Sequence, residues 1–299
     1  MQNDKDIKEL INFINEHSSD DASEEEINAL LDQFMKEHNQ KPLKAMTEKD
    51  AKTSEDFMEL AGKAKSLEDG LKFARKALKL DPDNLDAELF VADYSATDSI
   101  DNLKKAQIVV NHAEKLMEDG GYLTKEYEGE FWLVLETRPY MRVLHHYFDA
   151  LVECGMMTRA VEQGEKMLRL CASDNLGIRH SLMHIYAYLE LEEKALALYK
   201  KFDETSETMF LLPLSVLYYK LNDTKTAKIY LNKLIRSNKD TKRFFKILGT
   251  NEFEKVANSM PPFGFRPFTI EELIIDLQEN SFLFTENLTY IEWAKRELR

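Results

Sequence analysis

Through the middle of the chain, hydrophobic positions recur at the three- and four-residue spacing of amphipathic helices and are broken by short polar turns. The clearest case is GLKFARKALKLDPDN over 70–84. There Ala74 and Ala77 share one face, and Asp81-Pro82-Asp83-Asn84 ends the helix. Small residues return along the chain at Gly70, Ala106, Ala160, Ala195 and Ala227, with intervals of 36, 54, 35 and 32. A spacing of about 34 residues belongs to helical-hairpin repeats. With each small residue taken to open the second helix of a hairpin, first helices are predicted over 54–65, 85–96, 139–154, 177–189 and 209–221. Bulkier residues follow four positions after some of the anchors, at Val110, Tyr199 and Leu231. Five hairpins fit.

The 54-residue interval is about 20 residues longer than one repeat. Its extra segment reads DGGYLTKEYEGEFWLVLE, broken at Gly120-Gly121, and a further inserted helix is predicted over 125–136, within an insertion near 119–137. Ahead of the repeats, 4–16 and 24–36 pattern as two short amphipathic helices, the second opened by the capping box Ser23-x-x-Glu26. A polar link at 39–51 follows. After the repeats, Pro261-Pro262-Phe263-Gly264-Phe265 interrupts the pattern, and Thr269-x-x-Glu272 opens a helix with Phe268 and Leu273 placed as a staple. A last helix is predicted over 285–298. Repeat arrays need an end cap, and this segment suits that role. The expected organisation is an acidic helical extension at 1–48, a repeat array at 49–260 and a helical cap at 261–299.

Composition agrees with helices. Gly 10 and Pro 7 together supply 17 of 299 residues, roughly half the usual share of these two turn formers. No apolar run approaches the ~18 residues of a membrane span, and charges occupy the positions where a signal peptide needs an apolar stretch. A cytoplasmic location without membrane partners is the expectation. Cys154 and Cys171 are the only cysteines, which excludes a disulfide framework or a Cys-rich zinc module and predicts reduced core thiols. The net charge is −14, and residues 1–60 carry sixteen acids against seven bases. Such a field repels phosphate backbones, so no nucleic-acid partner is expected.

Ala74 and Ala77 ahead of Asp81-Pro82 resemble the second helix of a tetratricopeptide repeat (TPR), in which a small residue lets the two helices of a hairpin approach closely. The stretches GEFWLVLETRPYMR (129–142), MLRLCASDNLGIR (167–179) and NLTYIEWAKRE (287–297) resemble more narrowly a bacterial TPR family related to the suppressor-of-tumorigenicity proteins of animals. The resemblance runs from about Leu71 to the end of the chain. It implies an all-α TPR-like helical-hairpin solenoid, a right-handed superhelix, with no established reaction. Some relatives append a small Cys-rich metal motif that this chain lacks. His145 and His146 after Arg142, and His180 after Arg179, depart from the family pattern.

The polar residues near these stretches are the candidates for function. In a TPR superhelix the first helices line the concave surface, so Arg142, His145, His146, Asp149, His180, His184 and Tyr188 should face one groove, extended by Tyr219. Arg138, Arg142 and Arg179 suit paired hydrogen bonds to a carboxylate or phosphate. Glu136, Asp174 and Asn175 are expected to join those arginines in a structural ion-pair network locking the inserted helix against two repeats. His180-x-x-x-His184 and His145-x-x-x-Asp149 each put two side chains on one helical face, which opens an alternative as a metal- or anion-binding sensor or hydrolase. No HExxH motif, phosphate loop or Gly-x-Ser-x-Gly elbow is present, so no enzyme activity and no cofactor are expected. The TPR chaperone-tail clamp requires Lys and Asn at first-helix positions that here hold His145 and Asp149, so that activity is not carried over. The expected function is noncovalent recognition of a protein or peptide in the concave groove, as an adaptor or scaffold. A third possibility is an architectural module acting through its outer face or N-terminal helices.

Overall fold

The computed structural model describes residues 2–18, 22–40, 46–261 and 264–299. The expected link at 39–51 and the Pro-Pro-Phe break at 261–263 lie partly outside them. The chain divides into two compact units, Met1–Ala150 and Leu151–Arg299. The described residues form helices and turns, with no strand element.

The first unit contains α1 (Gln2–His17), α2 (Glu24–Gln40), α3 (Ser54–Gly62), α4 (Leu67–Leu80), α5 (Leu85–Tyr94) and α6 (Ser99–Asp119), then a short 3-10 turn Leu135–Thr137. It also holds most of α7 (Arg138–Glu153). The starts of α3 to α6 are set by side-chain caps. Thr53, Ser66, Asn84 and Asp98 each accept from the backbone N–H three residues ahead, satisfying a donor that the first turn leaves unpaired. The capping box at α2 is present: Ser23 N donates to Glu26 Oε2 at 2.9 Å and Glu26 N to Ser23 Oγ at 3.3 Å. Helices α3 and α4 pack as a pair, α4 on α5, and α5 on α6. Their core gathers Met58, Ala61, Ala74, Ala77 and Ala87 against Phe57, Phe73 and Phe90. Gly70 is small for a visible reason, since a Cβ there would sit 3.1 Å from the Phe90 ring.

The insertion differs from expectation. Residues 120–134 run as successive turns rather than a helix over 125–136. Tyr127 N bonds to Thr124 O, Glu130 N to Tyr127 O and Leu133 N to Glu130 O, each closing a three-residue step. Gly129 adopts φ 95°, a backbone state that breaks a right-handed helix. Only the 3-10 turn before α7 is helical.

The second unit contains α8 (Met157–Leu170), α9 (Ile178–Tyr188), α10 (Glu192–Lys201), α11 (Thr208–Lys220) and α12 (Thr224–Ser237). These are followed by α13 (Thr241–Ile247), α14 (Asn251–Asn258), α15 (Ile270–Glu279), α16 (Ser281–Thr285) and α17 (Leu288–Glu297). Helices α9 and α10 pack together, as do α11 and α12. The anchors Ala160, Ala195 and Ala227 are fully buried here, as Ala106 is in the first unit. Gly164 allows a close approach, because a Cβ would meet Leu182 at 2.9 Å. The C-terminal helices lie along the first helices of the pairs: α15 and α17 pack on α11, and α16 on α9. Among the described residues, no helix is long and apolar enough to cross a membrane.

Candidate functional site

The start of α7 is held by the turns before it. Thr137 Oγ1 donates to the carbonyls of Phe131 and Val134, and Arg138 Nε donates to Trp132 O at 2.7 Å. The Arg138 guanidinium also lies 5.4 Å from the Trp132 ring centre. From this base both α7 arginines reach α1, with Arg138 Nη1 2.7 Å from Asp4 Oδ1 and Arg142 Nη1 2.7 Å from Asp4 Oδ2. The other edge of Arg142 forms a two-bond fork with Asp86 in the first turn of α5, both bonds 2.7 Å. Burial pushes the Asp4 carboxyl up, but the hydrogen bonds and charges of Arg138 and Arg142 outweigh it and hold Asp4 below its ordinary value. Burial would likewise weaken the Arg142 cation, yet Asp86 and Asp4 together raise its pKa. Both guanidinium groups are thus paired with carboxylates of the chain itself.

Beside this network lies an open cavity of about 700 Å³, lined by α1, α3, α5, the end of α6 and the approach to α7. Met58, Leu85, Leu116, Met117, Leu135 and Pro139 give it an apolar floor. Its lining includes nine carboxylate residues, Asp4, Glu9, Glu55, Asp56, Glu59, Asp81, Asp83, Asp86 and Glu136, against three cations, Lys8, Lys63 and Arg142. The cavity is therefore an acidic site despite its arginine. Glu136 lines this cavity, and among the described residues it has no hydrogen bond or ion pair to Arg138 or Arg142. Nothing local in the sequence marks Asp4, Asp86 or the floor residues. Asp4 is 134 positions from Arg138 and no local pattern links them.

Further along α7, His145 Nδ1 lies 3.1 Å from Asp149 Oδ2, as the four-residue spacing predicts. His146 Nε2 faces Asn102 Oδ1 at 3.1 Å.

The remaining candidates fall in the second unit. Asp174, at φ 50°, caps α9: its Oδ1 accepts from Ile178 N at 2.8 Å and its Oδ2 from Arg179 N at 3.0 Å. Arg179 Nη1 adds a bond of 3.0 Å to the same carboxylate, and its Nη2 lies 3.6 Å from Glu207. Asn175 Oδ1 accepts from Ser173 Oγ at 2.5 Å. His180 Nε2 is 2.6 Å from Glu207 Oε2, and this hydrogen bond, aided by Arg179, lowers the Glu207 pKa. His184 is wholly buried. Its Nδ1 bonds to His180 O at 2.8 Å, and its Nε2 sits 2.8 Å from the equally buried Asp276 of α15, at an angle that leaves the nitrogen without an aligned hydrogen bond. Tyr188 meets Phe282 edge to face at 5.6 Å, and Tyr219 packs on Tyr290 and Trp293. Helices α15 to α17 thus cover His184, Tyr188 and Tyr219, which were expected to line an open groove. Among the described residues, no three His, Cys, Asp or Glu side chains are grouped so as to hold a metal ion. Cys171 is buried and Cys154 half-buried, both as free thiols.

Compared with protein-family models and with curated proteins, the chain matches none.

Proposed function

We propose that this protein is a TPR-like recognition module that holds a segment of another protein noncovalently in the first-unit cavity, acting as an adaptor or scaffold. The observation that carries the proposal is the cavity itself: about 700 Å³, floored by apolar side chains and walled by α3, α5 and α7, the predicted first helices of successive hairpins. That volume is in the range of ligand pockets, ~300–1,000 Å³, and accommodates several side chains. Supporting it are the paired helices and the buried small residues at Gly70, Ala106, Ala160, Ala195 and Ala227, which agree with TPR-like hairpins. Arg138, Arg142 and Arg179 already meet carboxylates of the chain, so the cavity's apolar floor is the better anchor for a partner.

Gly62 offers a clean test. It lines the cavity at the end of α3, its backbone is not in the left-handed region, and an added Cβ would meet nothing within 4 Å. Gly62→Phe should keep the fold and fill the site. Peptides selected from a random library on the intact protein are expected to bind wild type saturably and to lose at least about tenfold in affinity for Gly62→Phe, a difference of roughly 1.4 kcal/mol. Equal binding by a Gly62→Phe protein with an unchanged melting temperature would remove the cavity from the account.

A further inference from the structure

We infer that the segment held in this cavity is cationic, a lysine- or arginine-bearing peptide with apolar anchors. This rests on the recognition role proposed above and names the chemistry of its partner. Three observations converge. The lining carries nine carboxylate residues and three cationic ones, so an entering chain meets a strongly negative mouth. Much of the cation charge is already committed, Arg142 to Asp4 and Asp86, and Lys63 to Glu59 at 2.7 Å. Glu55, Asp81 and Glu136 have no cationic partner among the described residues and remain available to an incoming ammonium or guanidinium.

The apolar floor separates this site from a simple acidic surface. A small cation or polyamine would gain charge pairing at the rim and leave the half-buried Leu116, Leu135 and Pro139 uncovered. An acidic segment would meet like charge at the rim, and a neutral one would leave the rim carboxylates unpaired. A peptide that alternates apolar and basic side chains satisfies both: its apolar residues reach the floor while long basic side chains lie along the wall with their charged ends at the carboxylates.

The test uses three short labelled peptides with one leucine pattern and lysine, glutamine or glutamate at the remaining positions, titrated against the full chain by fluorescence anisotropy. At about 0.15 M salt, where diffuse attraction is screened beyond ~8 Å, the lysine peptide should bind about tenfold or more tighter than the glutamine peptide, and the glutamate peptide least. Glu55→Gln/Glu136→Gln should weaken the lysine peptide by roughly five- to tenfold, as expected for losing two exposed charge pairs. Glu193→Gln/Glu254→Gln, which removes two exposed carboxylates from the second unit, should leave it unchanged. Equal loss in both double variants would reduce the effect to overall charge and overturn the inference. If the glutamine or glutamate peptide binds as tightly as the lysine peptide, and Gly62→Phe blocks it, the cationic class is wrong while recognition in the cavity stands. If none of the three binds, the recognition proposal fails with it.

Discussion

Arg142 shows how one side chain joins three helices: α7 carries it, α5 supplies Asp86 and α1 supplies Asp4. The sequence marks Arg142 by its neighbours, and its two-bond fork is made to Asp86 of the same chain. Its partners were not legible, because an acid placed in a helix's first turn, as Asp86 is, reads as ordinary helix-dipole compensation. His112 on α6 lies at the same side of the first unit. Its Nδ1 is 2.6 Å from Glu88 and its Nε2 3.3 Å from Asp83, which also lines the cavity. The Glu88 hydrogen bond outweighs burial and raises the His112 pKa above 6.5. A raised histidine stabilises the folded state fully below pH 6.5, and the contribution is lost as pH rises through the folded value. Denaturant melts across this range should show a stability loss of up to about 1 kcal/mol that His112→Gln removes. An unchanged slope in His112→Gln would mean that the pair contributes nothing.

At the scale of elements, the helix pairs were legible because their cause is local. Small residues recur where two helices must touch, and Asn84, Asp98 and Thr269 stand at helix starts as caps. In the insertion, EYEGEFWLVLE has helical composition, but Gly129 at φ 95° and three-residue hydrogen-bond steps turn the chain instead. The placement of α15 to α17 on α9 and α11 was not legible either. Amphipathic helices show that they have an apolar face but not which surface it meets. The joint between α9 and α15 contains His184 and Asp276, both fully buried, and Asp276 Oδ2 has no hydrogen-bond partner. Removing one member of such a pair leaves the other buried and uncompensated, so Asp276→Ala should cost about 3 kcal/mol. His184→Leu/Asp276→Leu removes both polar groups and should recover most of that loss in chemical denaturation. A double variant as unstable as Asp276→Ala would show that packing rather than charge governs this joint.

Over the whole molecule, a charge of −14 and the acid-rich first sixty residues were read from the sequence as a barrier to nucleic acids. The structure adds a location, since carboxylates of α1, α3, α5 and the loop before it gather around the apolar cavity of the first unit. The expected groove residues, by contrast, are committed within their own units: Arg138 and Arg142 to Asp4, Arg179 and His180 to Glu207, and His184, Tyr188 and Tyr219 to the C-terminal helices. The proposed partner therefore contacts the cavity rather than these residues. The most direct measurement is methyl NMR of protein labelled at the methionine ε-carbons, titrated with the leucine–lysine peptide. All four of Met58, Met117, Met183 and Met209 are buried, but only Met58 and Met117 line the cavity, Met183 and Met209 lying in the core of the second unit. Occupancy of the cavity predicts saturable shifts of Met58 and Met117 with Met183 and Met209 unmoved; binding that leaves the Met58 and Met117 resonances in place would contradict it.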